Sequence, residues 1–203
     1  MTSNRLGAAR IRFAAMAFLV LLLGACANPG GTLQQAGSAD VFDMQFTTDL
    51  NWSRIKGWHQ EVWTIDGVAL NSLSIFSGVK PGEHVFMKTR EKTSRPDGPW
   101  FRAGMRPEEI RDITVDALRE QQWVNVSSDN LRPQRFGTLD GLRFELVMTS
   151  PNGLIYKGTV AAVEKDGKLT LLFWKAPAEY YYGRDFAAVA KMLDNIKFVA
   201  STK

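Results

Sequence analysis

The chain of 203 residues has little of what most catalytic and metal-binding motifs need. It contains one cysteine, Cys26, so no disulfide can form within the chain, and only two histidines, His59 and His84. Neither histidine belongs to an HExxH motif or neighbours the cysteine, which leaves little basis for a metal site. The sequence also lacks the GxSxG, GxGxxG, Walker and EF-hand patterns. We therefore expect no metal, no cofactor and no enzymatic activity.

One short string does match a catalytic motif. Residues 77–80 read Ser-Gly-Val-Lys, which is the SxxK spacing of penicillin-recognising enzymes. That chemistry needs the serine and the lysine one turn apart on a helix, whereas Gly78 and the following Pro81-Gly82 oppose a helix. We interpret the match as accidental and predict a strand that ends near Gly78.

The chain also lacks an apolar run long enough to cross a membrane as a helix. Its apolar segment near the N-terminus, residues 13–27, would reach roughly 22 Å, short of the ~30 Å hydrocarbon core. The segment follows Arg5, Arg10 and Arg12 with no acidic residue, and it ends in small residues. A basic segment, an apolar segment and small residues at a cleavage point predict a secretory signal peptide over residues 1–25.

The end of this segment, Leu23-Gly24-Ala25-Cys26, resembles the lipobox of bacterial lipoproteins. The resemblance implies cleavage between Ala25 and Cys26 and a lipid anchor on the Cys26 thiol, with acyl chains such as palmitate. Ala27 follows, and not the aspartate that resembles the inner-membrane retention signal. That resemblance implies a protein held in the outer membrane and facing the periplasm. The alternative is an ordinary signal peptide and plain secretion.

Cleavage would also change the charge of the chain. The full sequence has 25 basic and 21 acidic side chains, and the signal peptide removes three arginines, leaving 22 basic side chains against 21. The mature protein is thus nearly neutral, which argues against nucleic-acid binding, because such binding depends on a basic excess. The remaining 178 residues suffice for one domain. We divide them into the lipidated cysteine with a small, polar, flexible tether, residues 26–40, and a single globular domain, residues 41–203.

The domain is predicted to combine an antiparallel sheet with two helices. Strand-like segments occupy residues 41–65 and 73–76 around an Asp66-Gly67 turn, and a helix begins at Pro107 and ends near Gln122. A meander of strands follows at 134–138, 142–149, 154–163 and 168–175, with turns that contain glycine. A second helix has its apolar stripe at Phe186, Val189, Ala190, Leu193 and Ile196, with Asp185 as a cap or in the first turn.

A helix, a meander with tight glycine turns and a terminal amphipathic helix resemble the PsbP-like α/β/α sandwich superfamily. The matching positions are Gly137, Gly141, Phe144, Tyr156, Gly167-Lys168-Leu169, Leu171, Phe173, Phe186, Ile196 and Phe198, within residues 107–198. The resemblance implies an α/β (α+β) fold with helices flanking the sheet. Members of the superfamily mostly bind or assemble other proteins, and no functional residue carries over.

Two segments are candidate binding surfaces. The loop 88–106 is basic, and its residues Arg90, Lys92, Arg95, Trp100 and Arg102 are candidates to bind an anionic lipid, an anionic glycan or an acidic envelope protein. The alternative is a solvated connector. Three adjacent tyrosines at 180–182 cannot all enter one core, so at least one should be exposed.

These observations predict a membrane-anchored envelope lipoprotein whose domain binds or scaffolds another envelope component without catalysis. Two alternatives stay open: a lipoprotein hydrolase with an unidentified active site, and a carrier of a small ligand. A pocket where histidine and carboxylate side chains converge would favour the hydrolase, and an apolar cavity would favour the carrier.

Overall fold

The computed structural model describes residues 31–58, 60–86, 89–91 and 95–199. The predicted signal peptide, Ala25, Cys26, His59 and Lys92 lie outside the described residues. From Thr32 onwards the chain forms one compact unit. Within the described ranges, no helix has both the length and the apolar character needed to cross a bilayer.

The unit contains eleven described strands and two helices. In chain order the elements are β1 (Thr32–Gln34), β2 (Gly37–Val41), β3 (Met44–Thr48), β4 (Trp52–Lys56), β5 (Gln60–Thr64), β6 (Ser72–Val79), α1 (Pro107–Glu120), β7 (Val124–Phe136), β8 (Leu139–Thr149), β9 (Ile155–Lys165), β10 (Lys168–Pro177), α2 (Tyr181–Asp194) and β11 (Lys197–Phe198). Eight strands form an antiparallel sheet in the order β1-β4-β5-β6-β10-β9-β8-β7, and β11-β3-β2 form a small second sheet. The predicted antiparallel meander and its flanking helices are confirmed.

The first two strands correct the predicted tether. Residues 32–40, which are small and polar, were expected to be flexible because they bury little apolar surface. Instead, β1 pairs with β4, with Leu33 opposite Ser53, and β2 pairs with β3, with Ala39 opposite Phe46. Backbone hydrogen bonds to these partner strands order the segment, so the domain begins at Thr32 rather than at residue 41.

Helix α1 packs on one face of the large sheet, against β7 and β8. Pro107 occupies its first turn, and the Glu109 carboxylate accepts a hydrogen bond of 2.7 Å from the backbone N–H of Arg106. Ile110, Ala117 and Leu118 are buried on the inner side of the helix. The helix ends at Glu120, two residues before the predicted end.

Helix α2 packs on the opposite face, together with the small sheet. Val189 and Leu193 are buried there as predicted. Asp185 is neither the cap nor a first-turn residue: it lies buried in the second turn, where its carboxylate accepts hydrogen bonds from Asn71 and Arg184. Asn71 in turn accepts a hydrogen bond of 3.1 Å from the Trp174 indole N–H. This polar network joins α2 to Asn71, the residue before β6, and to strand β10.

The strands of the large sheet bury side chains on both faces. In β9, Val160 and Ala162 point into the core beside α1, whereas Ala161 and Val163 point into the core beside α2. Strand β10 alternates in the same way, which agrees with its prediction as an interior strand. Both cores meet at this central pair of strands, and this arrangement holds the two helices on opposite sides of one sheet.

Candidate functional site

An apolar cleft lies over strands β4, β5 and β6. The cleft lies on the face of the sheet where α1 covers β7 and β8. The segment 83–86 forms one side of the cleft. Phe86 fixes that segment, because its ring lies 5.1 Å from the ring of Phe76 and 6.0 Å from that of Phe173. Between this segment and the strands a cleft of about 510 Å³ opens to solvent.

The cleft walls are mostly apolar because each of the three strands turns an apolar side chain towards it. Val62 stands opposite Ile55 on β4, and Phe76 stands on the neighbouring strand β6. The apolar lining comprises Ile55, Trp58, Val62, Phe76, Val79, Val85 and Phe86, and the polar lining comprises Lys56, Gln60, Ser77, Glu83 and His84. Trp58, which is 89% exposed, lies at the mouth. A cavity of this size and lining is typical of sites for small apolar ligands.

His84 forms part of the cleft wall, and hydrogen bonds engage both of its ring nitrogens. The backbone N–H of Phe86 donates to Nδ1 over 3.0 Å, which makes Nδ1 the acceptor and assigns the ring proton to Nε2. Nε2 lies 3.3 Å from the Glu120 carboxylate, which also pairs with Arg95. His84 is only 2% exposed. Burial lowers the pKa of His84, Glu120 partly offsets this effect, and Arg95 adds to it.

This geometry leaves no imidazole lone pair aimed into the cleft. The neighbouring Glu83 carboxylate accepts the backbone N–H of Lys80 over 2.9 Å. Ser77 lies in strand β6, and Gly78 has a φ of +70°, so the SxxK string does not form the helical turn that its chemistry requires. In the part of the chain that the structure describes, no hydrogen bond links Ser77 to His84. The described part of the cleft therefore offers a shaped apolar surface in which His84 and Glu83 are held by bonds within the protein.

The predicted basic loop is only partly available for binding. Trp100 is buried, at 5% exposed, and its indole N–H donates to the Arg95 carbonyl over 2.8 Å, so it is not a surface anchor for lipid headgroups. Arg95 pairs with Glu120, and Arg102 pairs with Glu91 at 2.8 Å. These carboxylates neutralise much of the charge that the sequence suggested.

The remaining candidates divide between surface and core. Arg90 is exposed and takes part in an isolated β-bridge with Glu83. Of the three tyrosines, Tyr180 is exposed as predicted, while Tyr182 is buried and stacks on Trp174 at 4.6 Å. Within the described ranges no group of three His, Cys, Asp or Glu side chains is placed to hold a metal ion.

Sequence reasoning missed the cleft. In the sequence, Val62, Phe76 and Phe86 look like ordinary core residues. They line a cavity because α1 covers β7 and β8 but not the strands β4 and β5. The only local signal was Trp58, a large aromatic side chain next to Gly57 and Lys56.

Comparison with known proteins identifies no family for this chain. No protein-family model and no curated protein matches it. A crystal structure from Bacteroides thetaiotaomicron VPI-5482 is similar at 10% identity over 84% of this chain, with a TM-score of 0.47, and this chain spans about half of that protein, 51%. LpqN, involved in cell envelope biogenesis of Mycobacterium tuberculosis, is similar at 9% identity over 86% of this chain and 88% of its own, with a TM-score of 0.36. Scores this low assign neither a family nor a function.

Proposed function

We propose that the protein is a lipid-anchored envelope protein whose domain binds the acyl chain of an envelope lipid without catalysing a reaction. The observation that carries the proposal is the cleft of about 510 Å³ on the sheet face, with its largely apolar lining. Its volume falls in the range of ligand sites, and transfer of apolar surface into it is favourable by about 25 cal/mol per Å².

The polar groups at the cleft favour an amphipathic ligand. Lys56 borders the cleft at the exposed end of β4, and among the described residues no ion pair holds its ammonium group. An anionic headgroup can therefore lie beside Lys56 while the acyl chain enters between Val62 and Phe86. The two polar side chains opposite, Glu83 and His84, are held by hydrogen bonds within the protein.

Non-enzymatic binding is favoured over hydrolysis because both ring nitrogens of His84 have partners within the protein. A general base needs a free lone pair within reach of the proton that it removes. Here Nδ1 accepts from Phe86 and Nε2 faces Glu120, and burial lowers the pKa of the ring. His84 and the carboxylates of Glu83 and Glu120 do converge at the cleft, but their hydrogen bonds are made within the protein and not to a ligand in the cleft.

The proposed anchor is the lipid on Cys26, and the proposed location is the periplasmic side of the outer membrane. Support comes from the signal-peptide pattern, the lipobox resemblance and Ala27 in place of the retention aspartate. An anchored domain that begins at Thr32, six residues after Cys26, stays within about 20 Å of the anchor. Lipids would therefore be its nearest neighbours.

The cleft is tested by titrating the purified protein with palmitate. Val62→Trp puts a large ring into the cleft and should weaken palmitate binding at least about tenfold, or ~1.4 kcal/mol. Val124→Trp, at an exposed strand position outside the cleft, is the matched control and should bind normally. Lys56→Ala should weaken binding of palmitate but not of uncharged hexadecanol.

Three results would contradict this proposal. The first is a wild-type protein that binds no palmitate, and the second is a Val62→Trp variant that binds palmitate as well as Val124→Trp does. An apolar peptide that binds at this cleft where palmitate does not would instead assign the cleft to a protein partner. Ile55→Trp, at the open side of the cleft, repeats the test should Val62→Trp fold poorly.

A further inference from the structure

A second pocket, remote from the cleft in sequence and chemistry, is lined by three arginines. It has a volume of about 300 Å³ and lies where strands β7 and β8 meet the end of α2. Its lining consists of Arg132, Pro133, Gln134, Arg135, Arg143 and Asp194. The proposed acyl-chain binding does not involve any of these residues.

Arg143 is buried there with few partners. Its side chain is 6% exposed, and its one polar contact among the described residues joins Nη2 to the Asp194 carboxylate over 2.9 Å. A guanidinium has five N–H donors, and leaving them unsatisfied inside a protein is unfavourable. Beside it, Gln134 donates its amide N–H to the Leu193 carbonyl over 2.7 Å, while its own Oε1 has no partner in the described chain.

The sheet register adds a second unfavourable feature. Arg132 stands directly opposite Arg143 in the antiparallel pair β7–β8. Like charges at such positions repel each other. Arg132 is only partly compensated by Glu145, at 3.2 Å. Burial lowers the pKa of Arg143, Asp194 raises it, and Arg132 lowers it further. A bound anion would remove the repulsion and supply the missing acceptors.

We propose that this pocket binds an oxyanion, a carboxylate or a phosphate group, with Arg143 as the central donor and Arg132 and Arg135 at its rim. Asp194 already shows that a carboxylate oxygen fits the guanidinium. Its side chain is 66% exposed at the last residue of α2, so an incoming anion can replace it. Arg135 is engaged by the exposed Asp140 carboxylate and, over 3.2 Å, by the Thr138 carbonyl, and exposed ion pairs of this kind are weak.

Two groups oppose anion binding at this pocket, and one of them can be removed by mutation. Asp194 competes for Arg143, and the C-terminal end of α2 presents partial negative charge to the pocket. Removing the Asp194 charge should therefore strengthen anion binding. If Arg143 serves only to hold Asp194, the same change should leave binding absent and lower the stability of the protein.

The experiment measures binding by calorimetry at constant ionic strength with three probes: inorganic phosphate, acetate and oligogalacturonate, a carboxylated glycan. Asp194→Asn should raise affinity about tenfold, because Arg143 loses its competing carboxylate. Arg143→Lys should lower it about tenfold through loss of the bidentate fork. Arg132→Gln, at the partly exposed rim, gives a second test of the same site and should also lower the affinity. Arg119→Lys, on the outer side of α1, is the matched control.

The probes also separate the two sources of the anion. Binding of phosphate or acetate alone would assign a free oxyanion, and binding of oligogalacturonate alone would assign an acidic group on a polymer. The proposal is overturned if none of the three binds the wild-type protein. It is also overturned if Asp194→Asn and Arg132→Gln leave every affinity unchanged.

Discussion

The imidazole of His84 connects the cleft wall to helix α1. Its Nδ1 accepts the Phe86 N–H, and its Nε2 faces Glu120 at the last residue of α1, which in turn pairs with Arg95. Trp100 packs edge-on against the ring at 5.9 Å. A single buried side chain therefore holds the orientation of the segment that forms one side of the cleft.

Protonation of His84 should destabilise the protein. Burial lowers the pKa of His84 below its ordinary value of 6.5, so the unfolded chain takes up this proton more readily than the folded one. The stability that the neutral ring contributes is present above the unfolded pKa and is lost as the pH falls below it. A protonated Nδ1 would also face the Phe86 N–H with no acceptor.

The measurement is the free energy of unfolding in urea at pH 7.5 and pH 5.5. We expect the wild-type protein to be less stable at the lower pH and His84→Gln to show a smaller difference between the two. Val124→Gln, at an exposed strand position, is the control and should keep the wild-type difference. Equal pH dependence in His84→Gln and in the wild-type protein would contradict this role.

Among the elements, α2 depends most clearly on tertiary contacts. It lacks a side-chain cap, and its first turn has no acidic residue. Its position is set by buried Val189 and Leu193 against the sheet and by the network of Asp185, Asn71 and Trp174. Packing of an amphipathic face, and not intrinsic helix propensity, accounts for most of the stability of such a helix.

Leu193→Ala should therefore lower the free energy of unfolding by about 2–5 kcal/mol, because Leu193 is fully buried and its removal leaves a cavity. Leu33→Ala is the matched control: the same substitution at a side chain that is 69% exposed should change the stability by only about 0.5 kcal/mol. Urea titration of both variants provides the measurement. A loss at Leu193 no larger than that at Leu33 would mean that α2 does not dock as described.

At the scale of the whole molecule, unequal coverage of the two sheet faces creates the site. One face is covered by α2 and the small sheet, with Trp52 and Trp63 of the large sheet packed beneath them. The other carries α1 over β7 and β8 and the segment 83–86 beside β6. The cleft lies on the part of this face, over β4, β5 and β6, that α1 does not cover.

Attachment to the membrane is predicted to rest on Cys26. Cys26→Ser should release the protein from the membrane fraction or leave its signal peptide unprocessed, because two or more acyl chains are needed for stable anchoring. Fractionation followed by immunoblotting is the measurement, with the same separation showing whether the wild-type protein lies in the outer membrane. A serine variant that is processed and stays membrane-bound would disprove the lipobox interpretation, and recovery in the inner membrane would disprove the sorting prediction.

The sequence by itself determined the strands and helices of the second half and the apolar side of α2. Apolar periodicity is a local property, so the 3.6-residue stripe around Val189 and Leu193 and the alternation in β8 specify helix and strand before any tertiary contact exists. Turn residues such as Asp66-Gly67 likewise act over a few positions.

Only the tertiary structure decided where those surfaces meet. Residues 32–40 are mostly small and polar, and they are ordered because partner strands supply their backbone hydrogen bonds. Trp100 was expected on a basic surface but is buried, because His84 and the Arg95 carbonyl give its ring and its N–H a partner. The cleft at Val62 and the opposition of Arg132 to Arg143 arise from strand register and helix placement. Contacts between residues that are distant in the sequence produce no apolar periodicity, so the sequence pattern does not predict them.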